Sequence, residues 1–242
     1  MNKPLISIII VTYNAEKDLN NCLTNIKEQN CDNLQLILMD GGSTDSTPDI
    51  IRKHEYMIDF WLSEPDKGIY DAMNKATAYI KGQWVLFLGA DDLLEIGFKE
   101  MLTRLKDPSA IYYGMVDVNK TIYKGEYTDY DLAKLNICHQ AIFYSAAVFK
   151  KYKYSLEFPI WADWYLNMQC WIDPDFKFIY EDFLISKFGL EGLSSTTTDK
   201  VFEQQRREII IRHFGLLIWI RLLFREFKHK LYHKKAKKSS GL

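Results

Sequence analysis

Trp84-Val85-Leu86-Phe87-Leu88-Gly89-Ala90-Asp91-Asp92 runs from an unbroken apolar stretch into two adjacent carboxylates. Such a run reads as a strand buried on both faces, the pattern of a parallel sheet covered by helices. The two acids at its end have two readings. Either they cap a helix starting near Leu93, or they hold a hard divalent cation whose open positions take substrate phosphate.

Two further strands lie upstream. Leu5 to Val11 ends in Thr12-Tyr13-Asn14 and precedes a helical stripe at Leu19, Cys22, Leu23 and Ile26. Leu34 to Met39 delivers Asp40 into Gly41-Gly42-Ser43-Thr44-Asp45, and Pro48 sits near the start of the next helix. Parallel strands bring Asn14, Asp40 and the acid pair to one edge of the sheet, where open α/β sheets bind ligands. The polar segment Ser63 to Tyr70 then opens a helix with Ile69, Met73, Ala76 and Ile80 on one face.

Four segments carry a resemblance. Val11-Thr12-Tyr13-Asn14, Asp40 to Asp45, Ser63-Glu64-Pro65-Asp66-Lys67-Gly68-Ile69-Tyr70-Asp71-Ala72-Met73-Asn74 and Gly89-Ala90-Asp91-Asp92 resemble the ordered motifs of bacterial family 2 glycosyltransferases. The match runs from about Ile6 to Leu94, with weaker agreement to about Phe188. It implies an α/β fold of the GT-A-like, Rossmann type: a three-layer α/β/α sandwich around a mixed, mostly parallel sheet. The implied domain covers residues 1–200, with a nucleotide-sugar half to about residue 110 and an acceptor half over 111–200. Thr12, Tyr13, Asn14 and Asp40 are then expected to hold the donor nucleoside, with Asp66, Asp71, Asn74 and Asp91 nearby. Asp40 can accept the imide hydrogen of uracil, which favours a UDP-sugar. Asp92 and Asp91 are the expected ligands of Mn2+ or Mg2+. Structural readings stand beside these: Asp45 as helix cap or pocket support, Asp71 as a helix residue, and Lys67 either near the diphosphate or paired with Asp66.

Inverting transfer from a nucleotide sugar also needs a general base for the acceptor hydroxyl. Asp163, in Trp161-Ala162-Asp163-Trp164, is the candidate; many relatives have Glu-Asp at the equivalent motif, and this chain has Ala162-Asp163. An N-cap is its structural alternative. His139 and Trp164 are expected near the acceptor or diphosphate, with a late metal ligand or a structural role as alternatives for His139. Gly189 to Asp199 reads as a flap over the donor or a plain connector.

The chain of 242 residues has a formal net charge of −1, which hides an asymmetry. From Val201 onward it holds 11 Lys and Arg against 3 Asp and Glu, leaving 20 against 29 in the rest. In this 201–242 tail, Ile220, Leu223, Phe224, Phe227 and Leu231 fall on one helical face, while Arg221, Arg225, Lys228 and His229 lie off it. That is the pattern of a partly amphipathic, basic helix on an anionic membrane, with docking on its own domain and a solvated Lys234 to Lys238 cluster as the alternative. The acidic body and the lack of a recognised motif argue against nucleic acid. Cys22, Cys31, Cys138 and Cys170 form no CxxC pair, so no disulfide scaffold or zinc cluster is expected. Met1 leads directly into Pro4 and the first strand, which reads as leaving no room for a secretory leader and sets that expectation.

These readings combine into one expectation. A cytoplasmic enzyme, peripheral on the inner membrane, moves a hexose or N-acetylhexosamine from a UDP-sugar to a lipid-linked glycan during surface polysaccharide synthesis. A sugar nucleotidyltransferase is the runner-up, but its Gly-rich basic N-terminal loop is missing. A silent carbohydrate-binding or scaffold protein would not need Asp40, Asp91, Asp92 and Asp163 together. No GxGxxG follows the first strand, which disfavours a dinucleotide oxidoreductase.

Overall fold

The computed structural model describes residues 5–123, 125–189 and 198–239, with side chains to residue 229. Its strands are β1 (Ile6–Thr12), β2 (Leu34–Asp40), β3 (Phe60–Ser63), β4 (Trp84–Gly89), β5 (Leu93–Leu94), β6 (Ala110–Val118), β7 (Thr121–Tyr123), β8 (Ile142–Ser145) and β9 (Lys177–Phe188). Its helices are α1 (Leu19–Glu28), α2 (Thr47–Lys53), α3 (Ile69–Ala76), α4 (Gly97–Leu102), α5 (Asp129–Lys134), α6 (Val148–Lys151), α7 (Ala162–Trp171), α8 (Lys200–Phe214) and α9 (Leu216–Ser239).

Among the described residues the strands form one sheet of order β3-β2-β1-β4-β8-β6-β9-β5, with β7 on β6. Strands β1 to β4, β6 and β9 point one way, and β5, β7 and β8 the other. The sheet is thus mixed and mostly parallel. Alternation along β1 separates its two faces. Ile6, Ile8 and Ile10 pack with α1, α2 and α4, while Ile9 and Val11 pack with α3, α7 and α8. Helices on both faces make three layers, as expected for the α/β class.

Two local expectations are corrected. No helix starts at Leu93: Leu93 and Leu94 pair antiparallel with Ser186 and Lys187 of β9, and α4 begins at Gly97. Asp91 and Asp92 therefore do not cap a helix. The boundary at residue 200 is also no break in packing, because Phe202 of α8 stacks on Trp164 of α7 with ring centroids 5.1 Å apart. Asp199 locks this junction: its carboxylate caps α8 through the Phe202 N–H and also accepts the Ile160 and Trp161 N–H groups.

Helix α9 has one docked and one open face. Leu222 is buried against Ala133 of α5 and Ile210 of α8, with Ile218 and Trp219 packed alongside. Arg206 of α8 pairs with Glu226 at 3.1 Å, and the Arg221 guanidinium lies 3.8 Å from the Tyr130 ring centroid. Away from that contact, Leu216, Leu217, Ile220, Leu223, Phe224 and Phe227 are all exposed, Leu217 by 83% and Phe224 by 65%. Helical spacing sets Arg221, Arg225 and Lys228 along one border of this stripe. The side chains of Leu231 and of the Lys234 to Lys238 cluster lie outside the described residues.

Candidate active site

The C-terminal ends of β1, β2 and β4 converge on one edge, and short polar side chains stitch their loops together. Asn14 adopts φ 50°, in the left-handed region that asparagine tolerates. Its N–H donates to Ser43 Oγ at 2.7 Å, and its side-chain oxygen accepts the Thr44 N–H at 2.9 Å. Asp40 is only 2% exposed and accepts Ser43 N–H, Ser43 Oγ and Ser63 Oγ. Its carboxylate thus braces the Gly41-Gly42-Ser43 turn from beneath. Asp45 accepts the N–H groups of Thr47 and Glu16, tying the same turn to the β1 loop.

What this edge presents to a ligand is Tyr13 and Asp66. The Tyr13 ring is 63% exposed. A Cβ at Gly41 would lie 2.7 Å from Asp66 Oδ2 and 3.4 Å from the Tyr13 ring, so glycine there leaves ring and carboxylate adjacent. Thr12 Oγ1 is buried and has no hydrogen-bond partner among the described residues.

Other residues of the same motifs serve the fold. Asp71 accepts the Lys67 N–H and pairs with Lys75, closing the first turn of α3. Lys67 forms no ion pair with Asp66; Asp66 Oδ1 instead accepts the Gly68 N–H. Asn74 directs both ends of its amide to the Tyr154 backbone, which fastens α3 to the loop before α7.

The acid pair sits in a glycine-walled cradle. Asp92 is 1% exposed and accepts the Gly89 N–H at 2.6 Å and the Gly189 N–H at 3.0 Å. Burial pushes its carboxyl above the ordinary range, against the pull of those donors. A Cβ at Gly189 would overlap the Asp91 carboxylate, and one at Gly89 would crowd both acids. Among the described residues no cluster of three or more His, Cys, Asp or Glu forms a complete metal cage. Two carboxylates in a tight cradle fit a hard cation that completes its coordination with substrate oxygens and water. Of the Gly189 to Asp199 segment, residues 190–197 lie outside the described residues.

Asp163 occupies the second position of α7 behind Trp161, so it is not the N-cap. It is 6% exposed. Its Oδ1 accepts the Trp164 N–H and lies 2.9 Å from the Tyr70 hydroxyl, which is shared with the Ile160 carbonyl at 2.7 Å; its Oδ2 accepts Asn136 Nδ2 at 2.8 Å and faces His139 Nδ1 at 3.1 Å. Behind Asn136 the chain continues: Tyr144 donates to Asn167 Oδ1 at 2.7 Å, and Asn167 Nδ2 donates to Asn136 Oδ1 at 2.8 Å. Burial raises the Tyr70, Tyr144 and Tyr154 hydroxyls well above their usual range, so they remain protonated donors. The neighbouring Cys138 thiol is pushed up to about 12 by burial, with Asp163 and Asp92 adding to the shift.

His139 bonds Asp163 and sits within electrostatic reach of Asp92. Trp164 is corrected from a ligand contact to a core residue: it is 6% exposed, stacks on Phe202 and donates its indole N–H to the Leu132 carbonyl. Tyr70, Asn136 and Asn167 were not among the expected site residues. Tyr70 lies inside the third motif, and Asn136 stands three positions before His139, which was the available signal.

A mixed, mostly parallel sheet with nucleotide-type loops at its edge, an acid pair and a separated buried Asp defines the architecture of a GT-A-type glycosyltransferase. The chain belongs to glycosyltransferase family 2, whose model matches residues 7–164. It is 38% identical over 216 residues to a PGL/p-HBAD biosynthesis glycosyltransferase of Mycobacterium bovis, covering 84% of each chain. A glycosyltransferase GlyG of Streptococcus pneumoniae is 24% identical over 181 residues, covering 74% of this chain and 57% of that one. Among solved structures, S. aureus TarS 1-349 in complex with UDP-GlcNAc aligns with a TM-score of 0.68 at 16% identity, over 87% of this chain and 67% of that one. The chain spans 39% of a longer TarS structure. The mannosyltransferase PcManGT from Pyrobaculum calidifontis, with GDP-Man and Mn2+, aligns with a TM-score of 0.63 at 17% identity, covering 89% of this chain and 64% of that one. At those identities the structural likeness speaks for the fold.

Proposed function

We propose that this glycosyltransferase moves a hexose or N-acetylhexosamine, with inversion, from a UDP-sugar to a lipid-linked glycan of a bacterial surface polysaccharide. The observation that supports this reading is that His139, hydrogen-bonded to the buried Asp163, is also within electrostatic reach of Asp92 in the cradled acid pair, which favours a diphosphate anchor and a proton acceptor near one another. UDP-GlcNAc in the TarS complex supports the donor class, and the mycobacterial relative named for PGL/p-HBAD biosynthesis supports a biosynthetic glycosyl transfer.

In this reading Tyr13 stacks on the nucleobase and Thr12 Oγ1 donates to the nucleotide, with Asn14 and Asp66 completing the pocket. Asp40 acts from one layer beneath, by holding the turn in shape. Asp91 and Asp92 would hold Mn2+ or Mg2+, which supplies charge neutralisation for the leaving diphosphate. Asp163 receives the acceptor proton. Four protein groups contact its two oxygens, the Tyr70 hydroxyl among them being shared with the Ile160 carbonyl, so an incoming hydroxyl must take the place of one. His139 makes the longest of these contacts and lines the cleft, and is the donor that yields. The exposed apolar stripe of α9, bordered by Arg221, Arg225 and Lys228, suits a peripheral seat on the anionic cytoplasmic face of the membrane. Among the described residues no helix is long and apolar enough to cross it.

The test is a panel of UDP-, GDP- and dTDP-sugars with manganese or magnesium and extracted lipid-linked glycans. Transfer from a UDP-sugar with inverted linkage is the expected outcome, along with a larger rise in melting temperature from UDP than from GDP or CDP. Preference for a GDP-sugar would overturn the donor class, and binding without transfer would leave a silent sugar-binding protein.

A further inference from the structure

A groove of about 210 Å³ opens between the β7 edge of the sheet and α5, apart from the donor edge. Tyr123 and Leu135 face it with exposures of 41% and 42%, unusually open for large apolar side chains beside a packed core. Polar groups ring them. Glu126 is exposed and enters no hydrogen bond or ion pair among the described residues, while Lys134 pairs with Asp131 at 3.2 Å. Tyr127 forms the inner wall.

The groove is built into the site. Tyr127 donates its hydroxyl to the Asn136 carbonyl at 3.1 Å, and Asn136 Nδ2 holds Asp163 Oδ2. Tyr127 is itself fixed by its N–H bond to the Tyr113 hydroxyl at 2.9 Å. Two residues, Tyr127 and Asn136, therefore link a ligand here to the carboxylate assigned to proton abstraction. Its far side, α5, is the helix that α9 packs on through Ala133 and Leu222.

We propose that this groove is an acceptor subsite that holds one pyranose unit of the acceptor glycan. A sugar ring offers an apolar C–H face and a rim of hydroxyls, and needs both an aromatic or aliphatic wall and carboxylate or ammonium partners. Tyr123 and Leu135 supply the wall; Glu126, Asp131 and Lys134 supply the rim. The volume suits one ring, below the range of pockets that enclose larger ligands. This inference rests on the glycosyltransferase reading and adds where the acceptor sits.

Saturation-transfer NMR on the full chain tests it, using methyl glucoside, methyl N-acetylglucosaminide and methyl rhamnoside as probes, with and without saturating UDP. At least one glycoside should give a signal that persists with UDP present. Tyr123→Ala and Glu126→Gln should each weaken that binding tenfold or more, while the melting-temperature shift caused by UDP stays unchanged. Displacement of the glycoside by UDP would assign it to the donor site and overturn the proposal. So would undiminished binding in both variants, or no glycoside signal at all. A missing UDP shift would count against the donor reading alone, because the glycoside measurement stands without nucleotide.

Discussion

Replacing Asp163 by Asn probes the base and its hydrogen-bond cage together. The substitution keeps the shape but turns one carboxylate oxygen into an NH2 donor. If that donor takes the Oδ2 position, it meets Asn136 Nδ2, now 2.8 Å away, and His139 Nδ1 at 3.1 Å. His139 can adapt by changing tautomer. Asn136 cannot turn over without losing the Asn167 Nδ2 bond to its oxygen. One charge-assisted bond is lost and one buried donor is left unsatisfied, at a cost of about 2–4 kcal/mol. For a domain of this size that lowers the melting temperature by roughly 4–16 °C. Transfer should fall by about 10²–10⁴-fold, since the proton acceptor is gone. Calorimetric UDP binding and single-turnover transfer, both measured below the lowered melting temperature, separate the effects: UDP affinity should stay near wild type while the chemical step collapses. His139→Ala removes one donor and spares the carboxylate, so it should lose much less. Transfer by Asp163→Asn within tenfold of wild type would refute the assignment of the base. An equal or larger loss in His139→Ala would hand the proton to the imidazole, and an unchanged melting temperature would show the cage is not as described.

Three other outcomes are expected. Gly189→Ala should raise the manganese concentration needed for half-maximal activity at least tenfold, because its Cβ overlaps the Asp91 carboxylate; an unchanged titration would remove the cradle from the metal assignment. Asn74→Ala should cost about 2–3 kcal/mol in urea unfolding, by stripping two bonds from the Tyr154 backbone, with no change in UDP affinity; weakened UDP binding at normal stability would return Asn74 to the donor pocket. Leu217→Ser combined with Phe224→Ser should abolish co-sedimentation with anionic vesicles while preserving the melting temperature, since both side chains are exposed; retained binding would point to the basic residues alone.

Much of the donor half was legible because its signals are local. Apolar runs followed by turn residues located β1, β2 and β4, and parallel pairing followed from burial on both faces. The Leu93 segment misled because an Asp pair before apolar residues looks alike before a helix and before a short edge strand; pairing with β9, far along the chain, decides the matter. Asp71 and Asn74 share a motif with Asp66, but the helix turns them toward Lys67 and Tyr154, which no motif spacing encodes. Trp164 was drawn into the site by its neighbour Asp163, although successive helical residues point about 100° apart. The cage of Tyr70, Asn136, Tyr144 and Asn167 gathers residues from α3, β8, α7 and the loop after α5, and such long-range hydrogen bonding leaves no periodic trace.

The bonds behind Asp163 all run in one sense, from Tyr144 through Asn167 and Asn136 to the carboxylate. Two of the links are amides, which can point a hydrogen at a neighbour but cannot hand one on as a Grotthuss relay would. For a proton arriving from the acceptor, the interior is therefore a cul-de-sac. It has to leave by the side it entered, through the imidazole of His139 or in exchange with cleft water. On the reading that Asp163 takes the acceptor proton, the cage offers that proton no inner exit, and it must return to solvent before the next sugar can be passed.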